Sequence, residues 1–140
     1  MKTIAGVLIV VAVALGSGCA RPDWIERTLV TVDVTGTWSA SVGGAGGANV
    51  GGTLWFELEQ QGSTVKGNMQ YVGLRGFGLP TTARPIEGAV TGDVFRFRQP
   101  DGTVEGEMTV SGDEMTGQVW IGSLRPISLQ RVDPSSRPPR

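Results

Sequence analysis

The chain has 140 residues, with 12 Lys and Arg against 13 Asp and Glu, one Cys and no His. So even a charge balance leaves no footprint for nucleic acid. Without histidine a Ser-His-Asp or Cys-His arrangement is impossible and imidazole metal ligands are lacking, so neither a metal nor a cofactor is expected.

The N-terminus reads as a secretory signal peptide over residues 1–18. Lys2 gives a positive start, Ile4 to Leu15 is an apolar run broken only by Gly6, and Gly16, Ser17 and Gly18 are small residues suited to a peptidase. The run is short for a membrane span, which takes about 20 apolar residues. Cys19 follows at once and is the only cysteine in the chain. It has no intramolecular partner. Its position resembles the lipobox of bacterial lipoproteins, although Leu15 lies four residues before it where the family has Leu three before. The resemblance implies lipidation of the Cys19 thiol and loss of residues 1–18. With Ala20 next, it also implies an outer-membrane anchor facing the periplasm after export across the inner membrane. Acyl chains contribute roughly 0.8 kcal/mol per buried CH₂, so several of them hold a protein firmly to a membrane. Residues 19–29 are then a lipidated tether, 30–132 the folded domain and 133–140 a disordered tail.

After Cys19 no stretch carries a helical period. Alternating apolar and polar residues recur between glycine-rich turns. The pattern predicts strands near 30–42, 52–60, 64–72, 84–91, 94–99, 103–110, 114–121 and 125–132. An internal repeat supports it: FELEQQGSTVKGNM at 56–69 aligns with FRFRQPDGTVEGEM at 95–108, so that Gln60 matches Gln99 and Gly67 matches Gly106. An apolar-x-Gly-x-apolar pattern also recurs, around Gly36, Gly67, Gly88, Gly106 and Gly117. Alternation puts these glycines on the apolar face, where strong bending of the sheet is the physical reason for them. Large side chains should cover them. The register drawn from that idea pairs Leu58 with Val65, Phe56 with Gly67, Phe95 with Gly106, Phe97 with Gly88 and Met108 with Gly117. Outward pairs are then Glu57 with Lys66 and Arg96 with Glu105.

Eight strands with short connections predict an all-β, up-and-down antiparallel barrel, with an open sheet or a two-layer sandwich as alternatives. In a closed meander one end carries tight turns near 61–63, 91–93 and 111–113. The other carries the loops near 43–51, 73–83, 100–102 and 122–124. Gly36-Thr37-Trp38 opens the first strand at the tight end. It resembles the Gly-x-Trp signature of calycins, the lipocalin and avidin-like barrels. That resemblance implies that Trp38 closes the barrel base, with Arg131 packed over it, and takes no part in ligand chemistry.

The candidate binding residues lie at the other end. The loop from Gly73 to Ala83 carries Leu74, Arg75, Phe77 and Leu79 among glycines, the composition of an apolar lid or of a partner-binding tip. Trp55 and Trp120 alternate with core positions, so they face outward as candidate contact aromatics. The carboxylate pairs Glu57/Glu59 and Glu105/Glu107 fall on an outer face read as convex, where solubility is their expected role. Tyr71 is the one polar handle among the predicted inward residues. With no histidine, an enzyme would depend on carboxylates, arginines, Lys66 and Tyr71, and a carboxylate-based hydrolase is the only such activity left open. The expectation is a non-enzymatic binding module, anchored through Cys19, that contacts a protein partner through its open-end loops. The alternative is a periplasmic carrier of a small apolar ligand.

Overall fold

A computed structural model describes residues 30–43, 51–73 and 81–136. They form β1 (Gly36–Val42), β2 (Gly52–Gln61), β3 (Thr64–Gly73), β4 (Arg84–Thr91), β5 (Val94–Arg98), β6 (Glu105–Ser111), β7 (Glu114–Trp120) and β8 (Leu124–Val132). Consecutive strands pair antiparallel, and β8 returns to β1, so the sheet is a closed eight-stranded barrel. Closure leaves no free sheet edge along the shared ladder, which separates this fold from the open sheet and the sandwich.

The two-residue alternation is nearly complete. On β6, Met108 and Val110 are buried while Glu107 and Thr109 are exposed. The core runs through Trp38, Leu54, Phe56, Met69, Phe95, Met108, Met115 and Leu129, each with no exposed surface. Phe56 on β2 meets Phe97 on β5 edge-on, with ring centroids 5.1 Å apart, and Phe97 stacks on Phe95 at 5.6 Å. Strands 2 and 5 lie three apart around the barrel, so these rings bridge the lumen and fill its middle. Offset and edge-to-face ring pairs of this kind add about 0.5–1.5 kcal/mol beyond burial.

Three tight-end connections are two-residue turns built on Gly62-Ser63, Gly92-Asp93 and Gly112-Asp113. Their glycines share a left-handed φ of 62°, 62° and 60°. A two-residue hairpin needs that conformation to match strand twist, and glycine adopts it without a Cβ clash.

Three sequence expectations need correction. The first strand begins at Gly36 instead of residue 30. Asp33 bonds the amide of Thr35 at 2.8 Å in a local turn, and Gly36 has φ of 134°, so the ladder cannot start earlier. Only Val30 makes an isolated bridge, to Gly92. Two registers are also shifted by two residues. Gly67 faces Leu58, not Phe56, and Lys66 faces Glu59, not Glu57. Gly106 faces Phe97, not Phe95, and Arg96 faces Glu107 while Arg98 faces Glu105. The cause at the first hairpin is the place of its turn, centred on Gly62-Ser63, which pairs Gln61 with Thr64. The pairs Gly88–Phe97 and Met108–Gly117 stand as expected. Within the stretch read as a tail, Pro134–Ser136 form one 3₁₀ turn, which Asp133 caps by accepting from the amide of Ser135 at 2.8 Å.

Candidate functional site

The tight end is sealed by side chains. Trp38 donates its indole N–H to the carbonyl of Val34 at 2.9 Å. The Arg131 guanidinium lies over the Trp38 ring at 4.3 Å, donates to the carbonyls of Thr35 and Asp33, and pairs with Asp113 at 2.8 Å. Gln60 completes the seal: its amide oxygen accepts from Val34 N, and its amide nitrogen donates to Val32 O and Gly62 O. These polar groups are spent on holding residues 32–35 across the base. The Asp33 carboxyl is held below the ordinary aspartate range, first by the Thr35 hydroxyl, then by the Thr35 amide, with Arg131 adding less.

The open end is different. β1 pairs with β2 along its full length, but with β8 only from Thr37 to Ser39. The ladder would continue as Ala40 to Leu129, Ser41 to Ser128 and Val42 to Ile127, and it does not. The β1–β8 ladder therefore stops short of the open end. A cavity of about 230 Å³ opens at that end, lined by Val42, Leu54, Val119, Ile121, Pro126 and Ile127, with Ser41 and Arg125 beside them. Ile121 and Ile127 are only partly buried. Arg125 lies on the inward face of β8, as Arg131 does, so one strand brings an arginine to each end of the barrel.

Gln99 is a residue that alternation alone does not single out. It is 3% exposed, its side-chain amide lies 2.6 Å from the Thr103 hydroxyl, and its amide nitrogen is buried with no partner among the described residues. The repeat pairs it with Gln60, whose amide is fully used at the opposite end, and that alignment is the available signal. Asp101 supports the same loop. Its carboxyl lies below the usual range because the Thr103 hydroxyl and amide both donate to it.

A second concavity lies on the outer wall, of about 850 Å³, across β3 to β8. Phe97 explains it. Its neighbours in register are Gly88 on one side and Gly106 on the other, with Val65 and Val119 beyond. A Cβ on Gly106 would come within 2.5 Å of the Phe97 ring, and one on Gly88 within 2.7 Å of Phe95. With no side chains to hold it off, the backbone settles onto the rings and the outer surface is dished. Glu105 and Glu107 thus line a depression instead of a convex face.

Trp120 is outward and 42% exposed, on the rim of this depression. Trp55 faces outward from β2 but is half-buried, and its indole N–H is buried without a partner among the described residues. Tyr71 is buried, its ring packed against Gly52 and Gly73, either of which would clash with it if it carried a Cβ. Gly36, Trp38 and Arg131 come together at the base. Cys19, Leu74, Arg75, Phe77 and Leu79 lie outside the described residues. Among the described residues no group of three Cys, Asp or Glu is placed to hold a metal ion, and no helix is long and apolar enough to cross a membrane.

The class that the fold defines is a closed, eight-stranded antiparallel β-barrel. No protein-family model and no curated protein matches the sequence. Among solved structures, the chain is similar to Echinococcus granulosus fatty-acid-binding protein 1, with 15% identity and a TM-score of 0.42 over 71% of this chain and 98% of that one. It is also similar to a point mutant of the fluorescent protein UnaG, with 14% identity and a TM-score of 0.39 over 78% of this chain and 99% of that one. Likeness at this level bears on neither ligand nor site.

Proposed function

We propose that the chain is a lipid-anchored binding barrel that holds a small apolar ligand, or the apolar end of one, in its open mouth. The observation that carries this reading is the cavity of about 230 Å³ at the open end, walled by Val42, Leu54, Ile121 and Ile127, where the β1–β8 ladder has ended. Ligand sites usually run to about 300–1,000 Å³, so this mouth suits a small molecule or one end of a larger one. Rings fill the middle of the lumen, which limits how deep a ligand enters. Arg125, the charged residue in the lining, favours a polar or anionic group at the rim. The reading has no catalytic step. In it, Cys19 tethers the barrel to the outer membrane on the periplasmic side. Val30, where such a tether would join, bridges to Gly92 at the tight end, so in this reading the mouth faces away from the lipid.

The mouth is tested by filling it. With the environment-sensitive probe 1-anilinonaphthalene-8-sulfonate, the native chain should give enhanced fluorescence. Ile127→Trp should lower the probe's affinity by about tenfold or more, equivalent to roughly 1.4 kcal/mol. Equal affinity in the two would remove the mouth as the site.

One observation favours a second reading, contact with a protein partner. Val72, Trp120 and Leu124 are the exposed large apolar residues among those described, at 39%, 42% and 61%, and all three stand near the open end. Exposed apolar surface on a rim suits association. The loop residues Leu74, Arg75, Phe77 and Leu79 belong to the same proposal.

A further inference from the structure

The outer depression carries a row of side chains that the mouth does not use. Cross-strand neighbours in register run Lys66, Glu87, Arg98, Glu105, Trp120 and Leu124, from β3 to β8. All six are exposed and all line the depression. Charge alternates along the row and ends on an aromatic and an aliphatic residue. Directly opposed charges on a sheet ordinarily pair. Here they do not: Arg98 sits between Glu87 and Glu105, yet among the described residues none of Lys66, Glu87, Arg98 and Glu105 makes an ion pair or a side-chain hydrogen bond. One row over, Arg96 and Glu107 are joined at 2.5 Å. Four charged groups thus keep their full donor and acceptor capacity in a concave surface.

We propose that this depression binds a neutral oligosaccharide. Three cations and three carboxylates line it, so its charge sums to zero and favours neither a polyanion nor a polycation. A sugar offers hydroxyls that both donate and accept, which an alternating row of ammonium, carboxylate and guanidinium groups matches at each step. Charged partners make the stronger hydrogen bonds. The apolar face of a pyranose ring stacks on an indole, and Trp120 stands at the end of the row with 42% of its surface free. An extended peptide has no strand edge to join here, because β4 to β7 are each paired on both sides.

The test is calorimetric titration of the whole chain, reconstituted in lipid nanodiscs, with the trimer of N-acetylglucosamine and with maltotriose. At least one should bind with a dissociation constant in the millimolar range or below. Trp120→Ala should weaken it by about tenfold, which is the size of one good aromatic contact. Arg98→Gln should weaken it too, with the thermal midpoint of both variants unchanged because both side chains are exposed. Raising the salt concentration should leave binding intact, since a neutral ligand has no long-range charge to screen. No heat from either sugar would overturn the proposal. So would binding that Trp120→Ala leaves unchanged, or binding that salt abolishes. Probe uptake in the mouth is a separate readout and stands or falls independently.

Discussion

At the scale of single residues the two ends of the barrel are opposites. Arg131 illustrates the closed end: one guanidinium covers the Trp38 ring and satisfies two carbonyls of the chain crossing the base. A stacked cation contributes about 0.5–2 kcal/mol depending on its desolvation. Its ion pair with Asp113 adds little, because that carboxylate is 79% exposed. Asp33 gives the same region a pH dependence. Hydrogen bonds from Thr35 lower its carboxyl below the ordinary value of 3.8. A group with a depressed folded pKa stabilises the fold above its unfolded pKa, and that contribution is lost as pH falls through the folded value. Asp33→Ala should therefore lower the melting midpoint at neutral pH. The gap to the native chain should narrow as pH drops below about 3.8, where the native carboxyl is also protonated in the unfolded chain. Thermal melts of both proteins at several pH values check this, and a gap constant with pH would show that the charge is not what matters there.

At the scale of strands the inward glycines decide the shape. Gly88 and Gly106 flank Phe97 in register, and their missing side chains let the wall approach the Phe95 and Phe97 rings respectively. Gly106→Ala should cost about 1–3 kcal/mol through overpacking. Trimming the ring in the double variant Gly106→Ala with Phe97→Leu should cost less than the sum of the two single changes, because the substitutions touch. Denaturant unfolding of the four proteins measures the coupling, and simple additivity would contradict the contact. Much of this is legible in the sequence. Alternation places Trp38, Phe56, Met108 and Leu129 inside, and the recurring glycines announce a bent, closing sheet. The register is half legible. A slip of two residues keeps every side chain on its face, so the patterns do not separate Phe95 from Phe97 as the partner of Gly106. Only the placement of the turn settles that: pairing Leu58 with Val65 would centre a two-residue turn on Gln61-Gly62, and the turn falls one residue later, at Gly62-Ser63. The outer depression stays hidden for the same reason: it depends on two glycines sharing one phenylalanine. The short β1–β8 ladder is hidden as well, since nothing in Ala40 to Val42 or in Leu124 to Leu129 signals that this ladder stops.

The whole molecule is a barrel with one sealed end, a ring-filled middle and one end where the ladder between first and last strands has stopped. The seam between the first and last strands supplies the mouth, and a signal peptide with a lipidated Cys19 would present it to the periplasm. A small molecule held in the mouth in the cell would be seen by native mass spectrometry of the Cys19→Ser protein purified gently from the periplasm. A reproducible extra mass is expected, lost on denaturation and absent from the same protein carrying Ile127→Trp. A bare mass for the protein without Ile127→Trp, or an added mass that this change leaves in place, would contradict it.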